Sequence, residues 1–290
     1  SSSSSSSTSG GAGGGGGGAG TSCAASAAES IYAIGTDKKL YRLFGDNTGI
    51  LAASSIGALT CPTAADPHSM TVDRSGTAWV VYTDGKLFKV DTATAACTGT
   101  SFATGQHGFT SFSVAFAASA KGSTTETLYA SGSGDAGGAK GLARLDTTTL
   151  TLTPIGSYDN PAVDGHVQLA GTADGRLYGG FLSGGTHYDI AHVDPTNAHV
   201  LAVDSAPSTL LKGKPADTRY SIIPWGKTNN VPGPTDVDRF YIFTTVSNGT
   251  KNYFYNGWNG ISTDADPNHV TPIVAVTIGA STCATSNPPF

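Results

Sequence analysis

The chain has 290 residues, of which 13% are charged, and its formal net charge is −5 at pH 7. It contains no block of basic residues, so its composition argues against binding to nucleic acid or to anionic membrane surfaces. No apolar stretch comes near the roughly 18 residues that a membrane-spanning helix needs, and we expect no membrane span.

The first 22 residues are Ser, Gly, Thr and Ala only. Such side chains have little to bury, so residues 1–22 are predicted to form a low-complexity tail ahead of a folded domain over residues 23–290. Backbone hydrogen bonds are the main means of holding such a tail, and pairing with the sheet edge of a neighbouring subunit would supply them. The chain begins with Ser1 instead of Met, so it is either a processed or a trimmed chain. The Ser/Gly tract favours processing, and we expect an export signal to have been removed ahead of it.

A short pattern recurs along the domain: an apolar residue, a small or aromatic one, a basic one, an apolar one and then usually Asp. An apolar–aromatic run precedes each copy, and the first four copies start about 50 residues apart, a spacing typical of propeller blades. The copies are Leu40–Leu43, Leu87–Asp91, Leu142–Asp146 and Ile190–Asp194, with a looser fifth at Asn252–Asn256.

The repeats predict an all-β fold, a β-propeller with five four-stranded blades, and a sixth, degenerate blade remains an alternative. In the second repeat the predicted strands are Ser69–Asp73, Trp79–Tyr82, Leu87–Asp91 and one near residues 98–103. The first repeat has no inner strand, whereas His269–Ile278 resembles an inner strand without a blade of its own. We therefore expect the C-terminal strand to complete the first blade, which would remove the exposed edges of an open array.

The four cysteines are even in number and lack the CxxC spacing of zinc and redox motifs, so in an exported protein they predict two disulfides. Closure of the first blade by the C-terminal strand would place Cys23 and Cys283 in the same turn region, and we expect them to pair. Cys61 and Cys97 are then left as the second pair.

Four histidines and one arginine stand just before predicted inner strands, where the loops of a propeller meet at one mouth of the central channel. Neutral imidazoles converge well on a divalent metal, whereas Arg favours an anion, so these residues are a candidate ligand or metal site. The structural interpretation is preferred: Gly165-His166 resembles the Gly-His dipeptide of WD40 blades, in which the His has a hydrogen-bonding role between strands. The five residues are His68, His107, His166, Arg219 and His269.

Asp264, Asp266 and Asn268 show the alternation of a calcium-binding loop. His269 and Ala275 stand where an EF-hand requires Gly and Glu, so an ordinary polar turn is the preferred interpretation and calcium the alternative. We expect no other cofactor.

Asn248 begins an Asn-Gly-Thr sequence that fits both N-glycosylation and a tight hairpin turn. Three tryptophans could stack on sugar rings if they were exposed, although core packing is the default expectation for strand aromatics. They are Trp79, Trp225 and Trp258.

With these repeats the chain resembles secreted bacterial β-propellers that carry a Ser/Gly-rich tether, often surface lipoproteins, over roughly residues 29–283. The resemblance implies an extracellular or cell-surface location. The sequence contains no G-x-S-x-G, H-E-x-x-H or P-loop motif. We therefore expect a non-catalytic structural or assembly protein whose tail contacts a neighbouring subunit, which could build a filament or array. The alternatives are a surface propeller that binds glycans or a metal and, less favoured, a metal-dependent hydrolase or lyase that uses the histidines.

Overall fold

The computed structural model describes residues 31–35, 37–45, 51–121, 123–133, 140–161, 163, 166–173, 175–183, 187–206, 219–226, 239–245, 253–256 and 273–278. Its strands form antiparallel sheets in chain order, and the chain folds as an all-β propeller, as the repeats predicted. The first sheet contains β1 (Ile31–Gly35), β2 (Lys39–Gly45) and β3 (Leu51–Ala58), and the second contains β4 (Pro67–Val72), β5 (Thr77–Tyr82), β6 (Leu87–Asp91) and β7 (Cys97–Gly99).

The later sheets repeat this arrangement. The third contains β8 (Phe112–Ala118), β9 (Glu126–Ser133), β10 (Lys140–Leu145) and β11 (Leu152–Gly156). The fourth contains β12 (His166–Gly171), β13 (Leu177–Ser183), β14 (His187–Val193) and β15 (Val200–Ala206). In the last sheet the described strands are β16 (Arg219–Gly226), β17 (Arg239–Thr245) and β18 (Tyr253–Asn256).

The C-terminal strand β19 (Ile273–Ile278) lies beside β1 in the first sheet. The two strands are antiparallel, with Ile31 opposite Ile278 and Ala33 opposite Val276. This confirms the predicted pairing of the C-terminal strand with the first repeat. The innermost strands β19, β4, β8, β12 and β16 contact one another in that order, and β16 also contacts β19.

The Asp that ends the sequence repeat organises the turn between the third and fourth strands of a sheet. In the turns that begin at Asp91, Asp146 and Asp194, the carboxylate Oδ1 accepts hydrogen bonds from backbone N–H groups two or three residues later, at 2.7–2.9 Å. The N–H of the fifth residue of each turn bonds to the carbonyl of the Asp at 2.8–2.9 Å. The fifth residues, Ala95, Leu150 and Ala198, have left-handed φ values of 61°, 58° and 64°.

These turns also pack each sheet against the one before it. A Cβ at Gly57 of the first sheet would lie 3.2 Å from the Thr94 carbonyl oxygen in the second, and a Cβ at Gly156 of the third would lie 2.9 Å from the Asn197 oxygen in the fourth. Between the second and third sheets, Gln106 instead donates from Nε2 to the Leu150 carbonyl at 2.9 Å and accepts from the Leu152 N–H at 2.9 Å. The same kind of turn therefore contacts the preceding sheet at two interfaces, and at the interface between them it contacts the segment that follows the second sheet.

Apolar clusters fill the spaces between neighbouring sheets. Trp79 is one of the core residues, with 2% of its surface exposed, and its ring packs edge-on against Phe116. Its indole N–H donates to Asp73 Oδ2 at 2.9 Å. Trp79 is therefore a core residue, whereas Trp225 has only its strand position described and Trp258 lies outside the described residues.

The Cys61–Cys97 disulfide is present, with a Cα–Cα distance of 5.1 Å, and the predicted pairing of these two residues is confirmed. It ties the linker between the first two sheets to β7, the outer strand of the second sheet. The predicted Cys23–Cys283 pair lies outside the described residues.

Candidate functional site at the channel mouth

Small polar side chains on the innermost strands join neighbouring sheets. Ser69 and Thr71 of β4 are buried, and their hydroxyl oxygens accept hydrogen bonds from the N–H groups of Val114 and Phe116 of β8, both at 3.1 Å. The partners advance together along both strands, so β4 and β8 run parallel around the channel. Hydroxyls that satisfy buried backbone donors in this way have a structural role.

The next pair of inner strands approaches more closely. A Cβ at Gly171 of β12 would lie only 2.0 Å from the Phe116 carbonyl oxygen of β8. Beside it, the Ala118 N–H donates to the Thr172 carbonyl at 3.1 Å. At this interface the backbones contact each other directly, because Gly171 has no side chain to separate them.

His68 is the extra residue of a β-bulge at the start of β4. Pro67 pairs with Tyr82 and Ser69 with Val81, so the register shifts by one residue at His68. The residue is only 4% exposed, and its Nε2 lies 3.5 Å from the hydroxyl of Ser111. The sequence placed His68 before the strand, whereas the bulge extends β4 to include it. Bulges of this kind re-aim a side chain.

Gln168 of β12 reaches the bulge at the start of β4. Its Nε2 donates to the His68 carbonyl at 3.3 Å, and the Gln168 side chain is 3% exposed. Because β8 lies between β4 and β12 in the order of inner strands, this bond joins two inner strands that are not neighbours in that order. Nothing in the sequence pattern around Gln168 indicated this contact.

Of the residues predicted at the channel mouth, some lie at the starts of inner strands and one lies in a turn. His166 and Arg219 are the first residues of β12 and β16, level with the start of β4. His107 lies in a short 3₁₀ turn over Gln106–Gly108, with an exposed side chain and a left-handed φ of 50°. The remaining candidates lie outside the described residues; they are His269, Asn248, Asp264, Asp266 and Asn268.

Two carboxylates on the loops at this end of the strands are engaged by lysines. Asp66 lies 2.9 Å from Lys38 Nζ, and Asp84 lies 2.8 Å from Lys86 Nζ. Asp84 also accepts a hydrogen bond from the Thr63 hydroxyl at 2.7 Å. Burial acts to raise the pKa of Asp84, but the hydrogen bonds from Lys86 and Thr63 hold that pKa below its usual value. Among the described residues, no group of three or more His, Cys, Asp or Glu side chains lies together.

The opposite ends of the inner strands carry a buried ion pair. Arg74, in the turn after β4, is 5% exposed and donates from Nη2 to the Ser123 carbonyl at 2.8 Å. Its Nε lies 3.7 Å from Glu126 Oε2, and Glu126 Oε1 accepts from the Arg74 N–H at 2.9 Å. This pair joins the second and third sheets away from the channel mouth.

Three solved structures resemble the chain at low sequence identity. Hydrazine synthase of Kuenenia stuttgartiensis is 11% identical with a TM-score of 0.38, over 80% of this chain and 66% of that one. The Dos1 propeller is 10% identical with a TM-score of 0.40, over 78% and 52%. BamB of Moraxella catarrhalis is 15% identical with a TM-score of 0.32, over 86% and 60%.

At TM-scores of 0.32–0.40, these three structures carry no argument about the fold or the activity of this chain. The chain spans about half to two thirds of their length. No protein-family model and no curated protein matches the sequence. Within the described strands and turns there is no helix with the length and apolar character of a membrane span.

Proposed function

We propose that the protein is a non-catalytic, extracellular structural propeller that assembles through its N-terminal tail. The observation that carries this proposal is the use of buried polar side chains around the channel. Ser69, Thr71 and Gln168 hydrogen-bond to the backbone of other innermost strands. Groups held in this way stabilise the ring of sheets, which suits a rigid structural unit.

The extracellular location is supported by the Cys61–Cys97 disulfide, because such bonds persist in oxidising compartments. The composition of residues 1–22 is that of a surface tether, as in surface lipoproteins. We further propose that the propeller has five blades, with the β16–β18 sheet as the fifth. The contacts of β19 with both β4 and β16 support this count.

Self-association through the tail would follow from its chemistry. A segment without charges or bulky side chains can lie along the edge of another subunit's sheet, where its backbone groups complete the hydrogen bonds of the outer strand. The tail and the acceptor edge are different surfaces, so each subunit would offer one and receive the other. Such head-to-tail contacts produce rings or filaments.

The test compares the full chain with a variant that lacks residues 1–20, using light scattering after size-exclusion chromatography and negative-stain electron microscopy. We expect oligomers, rings or fibres from the full chain and monomers from the shortened one. A matched control keeps the length and the lack of charge but replaces Gly13, Gly15 and Gly17 with Pro, which removes backbone donors and prevents strand pairing. If the shortened chain still assembles, the proposal is wrong. If the shortened chain is monomeric but the proline variant still assembles, the tail is needed but does not bind by strand pairing.

A further inference from the structure

The interface between the third and fourth sheets contains a carboxylate that is almost completely removed from water. Asp189 of β14 is only 4% exposed. It lies directly opposite Phe181 in the ladder of the fourth sheet, and residues in such a pair share one face of their sheet. Phe181 belongs to the apolar cluster between the two sheets, as do Ala191 and Val193, which alternate with Asp189 along β14. The Asp189 side chain therefore faces the third sheet.

Three hydroxyl groups from the third sheet and the linker that follows it face the same interface. Ser113 of β8 and Ser131 of β9 lie opposite each other in the ladder, and both are fully buried. Ala115, two residues further along β8, belongs to the same apolar cluster as Phe181. Tyr158 follows β11, and its hydroxyl lies 2.6 Å from that of Ser131. The Tyr158 ring packs edge-on against Phe181 at a centroid distance of 5.1 Å, which connects the hydroxyls to the strand pair that contains Asp189.

Two of these buried groups have no partner in the part of the chain that the structure describes. The Ser113 hydroxyl makes no hydrogen bond there. Among the described residues, no hydrogen bond or ion pair reaches the Asp189 carboxylate either. Burial of a carboxylate without a compensating charge is costly, and a buried polar group without a protein partner commonly binds an ordered water or an ion. A positive ion at this interface would offset the cost of burying Asp189.

The available ligand atoms are oxygens, and together they carry one negative charge. Carboxylate and hydroxyl oxygens are hard ligands, which suit hard cations better than the softer transition metals. Burial raises the pKa of Tyr158, so its hydroxyl stays neutral and adds no second charge. Protein sites for Ca²⁺ usually contain several carboxylates, whereas one carboxylate balances one positive charge. The set of ligands therefore favours a monovalent cation.

We propose that the interface between the third and fourth sheets binds a monovalent cation such as Na⁺ or K⁺, with Asp189 as its charged ligand. The hydroxyl groups of Ser113, Ser131 and Tyr158 supply neutral oxygens to the ion or to its remaining water molecules. The bound ion links β14 of the fourth sheet to β8 and β9 of the third. Because it binds only the folded chain, it stabilises the propeller by mass action.

The test measures the melting temperature of the full chain in the chlorides of Li⁺, Na⁺, K⁺ and choline. All four salts are used at the same concentration, so that the ionic strength and the chloride concentration are equal. We expect Na⁺ or K⁺ to raise the melting temperature by about 5 °C relative to choline, the shift for a ligand at about 100 times its Kd that binds a folded chain of this size. Choline is the control because it is too large for a buried site.

Asp189→Asn keeps the size of the side chain and removes its charge. The rise with Na⁺ or K⁺ should disappear in this variant, whereas its melting temperature in choline chloride should be at least that of the wild type. Ser113→Ala is the second variant, in case the first folds poorly, and the loss of one ligand oxygen should raise the half-maximal salt concentration about fivefold. The matched control is Asp66→Asn, which removes an exposed carboxylate that pairs with Lys38 and should leave the response unchanged.

Three results would overturn the proposal. The first is the same melting temperature in all four chlorides. The second is an equal response of the Asp189→Asn and wild-type chains to Na⁺ and K⁺. The third is a larger rise with Ca²⁺ than with Na⁺ or K⁺ at matched ionic strength, which would identify a divalent site. The proposal does not rest on assembly through the tail, so its failure would leave that experiment unaffected.

Discussion

Replacing Gly171 with Ala should force two innermost strands apart. The new Cβ would lie 2.0 Å from the Phe116 carbonyl oxygen and 2.8 Å from the Ala117 Cβ, whereas ordinary contact begins at 3.4 Å. These neighbours belong to β8 itself and cannot rotate away as the end of a flexible side chain would. The backbones of β8 and β12 must therefore separate by more than about 1 Å.

The free energy of unfolding should fall by about 3 kcal/mol. Overpacking a close-packed site costs about 1–3 kcal/mol, and a separation of about 1 Å loses up to half of the dispersion energy of the atoms concerned. The hydrogen bond from the Ala118 N–H to the Thr172 carbonyl, 3.1 Å long, lies next to Gly171. Its loss would lower the free energy of unfolding by about 1 kcal/mol more.

Urea denaturation followed by tryptophan fluorescence measures this change, because Trp79 is buried in the folded state. The matched control is Gly99→Ala at the end of β7, where an added Cβ would have no atom within 4 Å. We expect the control to change stability by less than about 0.5 kcal/mol. If the free energies of unfolding of the two variants differ by less than that amount, the backbones of β8 and β12 do not make the direct contact described here.

Two further predictions concern the turns and the disulfide. Hydrogen bonds from threonines of their own turns lower the pKa values of Asp91, Asp146 and Asp194. The stability that these ionised carboxylates provide is therefore present above the ordinary carboxyl pKa of 3.8. It is lost as the pH falls through their pKa values in the folded state. The melting temperature should therefore fall as the pH is lowered from about 5 to about 2. In a variant with Asn at all three positions it should fall less steeply. Equal slopes of melting temperature against pH for the two proteins would contradict the role of the turns. Replacing both Cys61 and Cys97 with Ser should cost about 4 kcal/mol in urea unfolding, since the bond closes a loop across 36 residues, and a loss below about 1 kcal/mol would show that the loop is already restrained without it.

The repeats predicted the propeller because the pattern reports on the third strand of each sheet and on the turn that follows it. The Asp at the end of each copy is required by the backbone N–H groups it binds, so it recurs wherever the turn recurs. The C-terminal strand predicted the pairing of β19 with β1 because the first repeat had no inner strand and the C-terminal strand had no blade of its own. Such local rules are visible in a single sequence.

The contact between Gln168 and the bulge at His68 was not predictable in the same way. The bulge at His68 inserts one residue without a Gly or a charge to mark it, and Gln168 lies 100 residues from the carbonyl it binds. The outer strand predicted near residues 98–103 is only Cys97–Gly99, and Gln106, beyond its end, makes the contact with Leu150. These features depend on where separate sheets meet, which spacing alone does not specify.

The docking of each Asp turn on the sheet before it gives the propeller a direction. The Asp turn of a sheet contacts the preceding sheet, whereas the end of its outer strand, as at Gly57 or Gly156, contacts the turn of the following sheet. Neighbouring units are therefore not interchangeable, since the second interface uses Gln106 and Leu150 where the others use a glycine. A sheet that was duplicated or moved within this chain would pack well only beside a neighbour with the matching interface residues. The interfaces between neighbouring sheets therefore specify the order of the repeats.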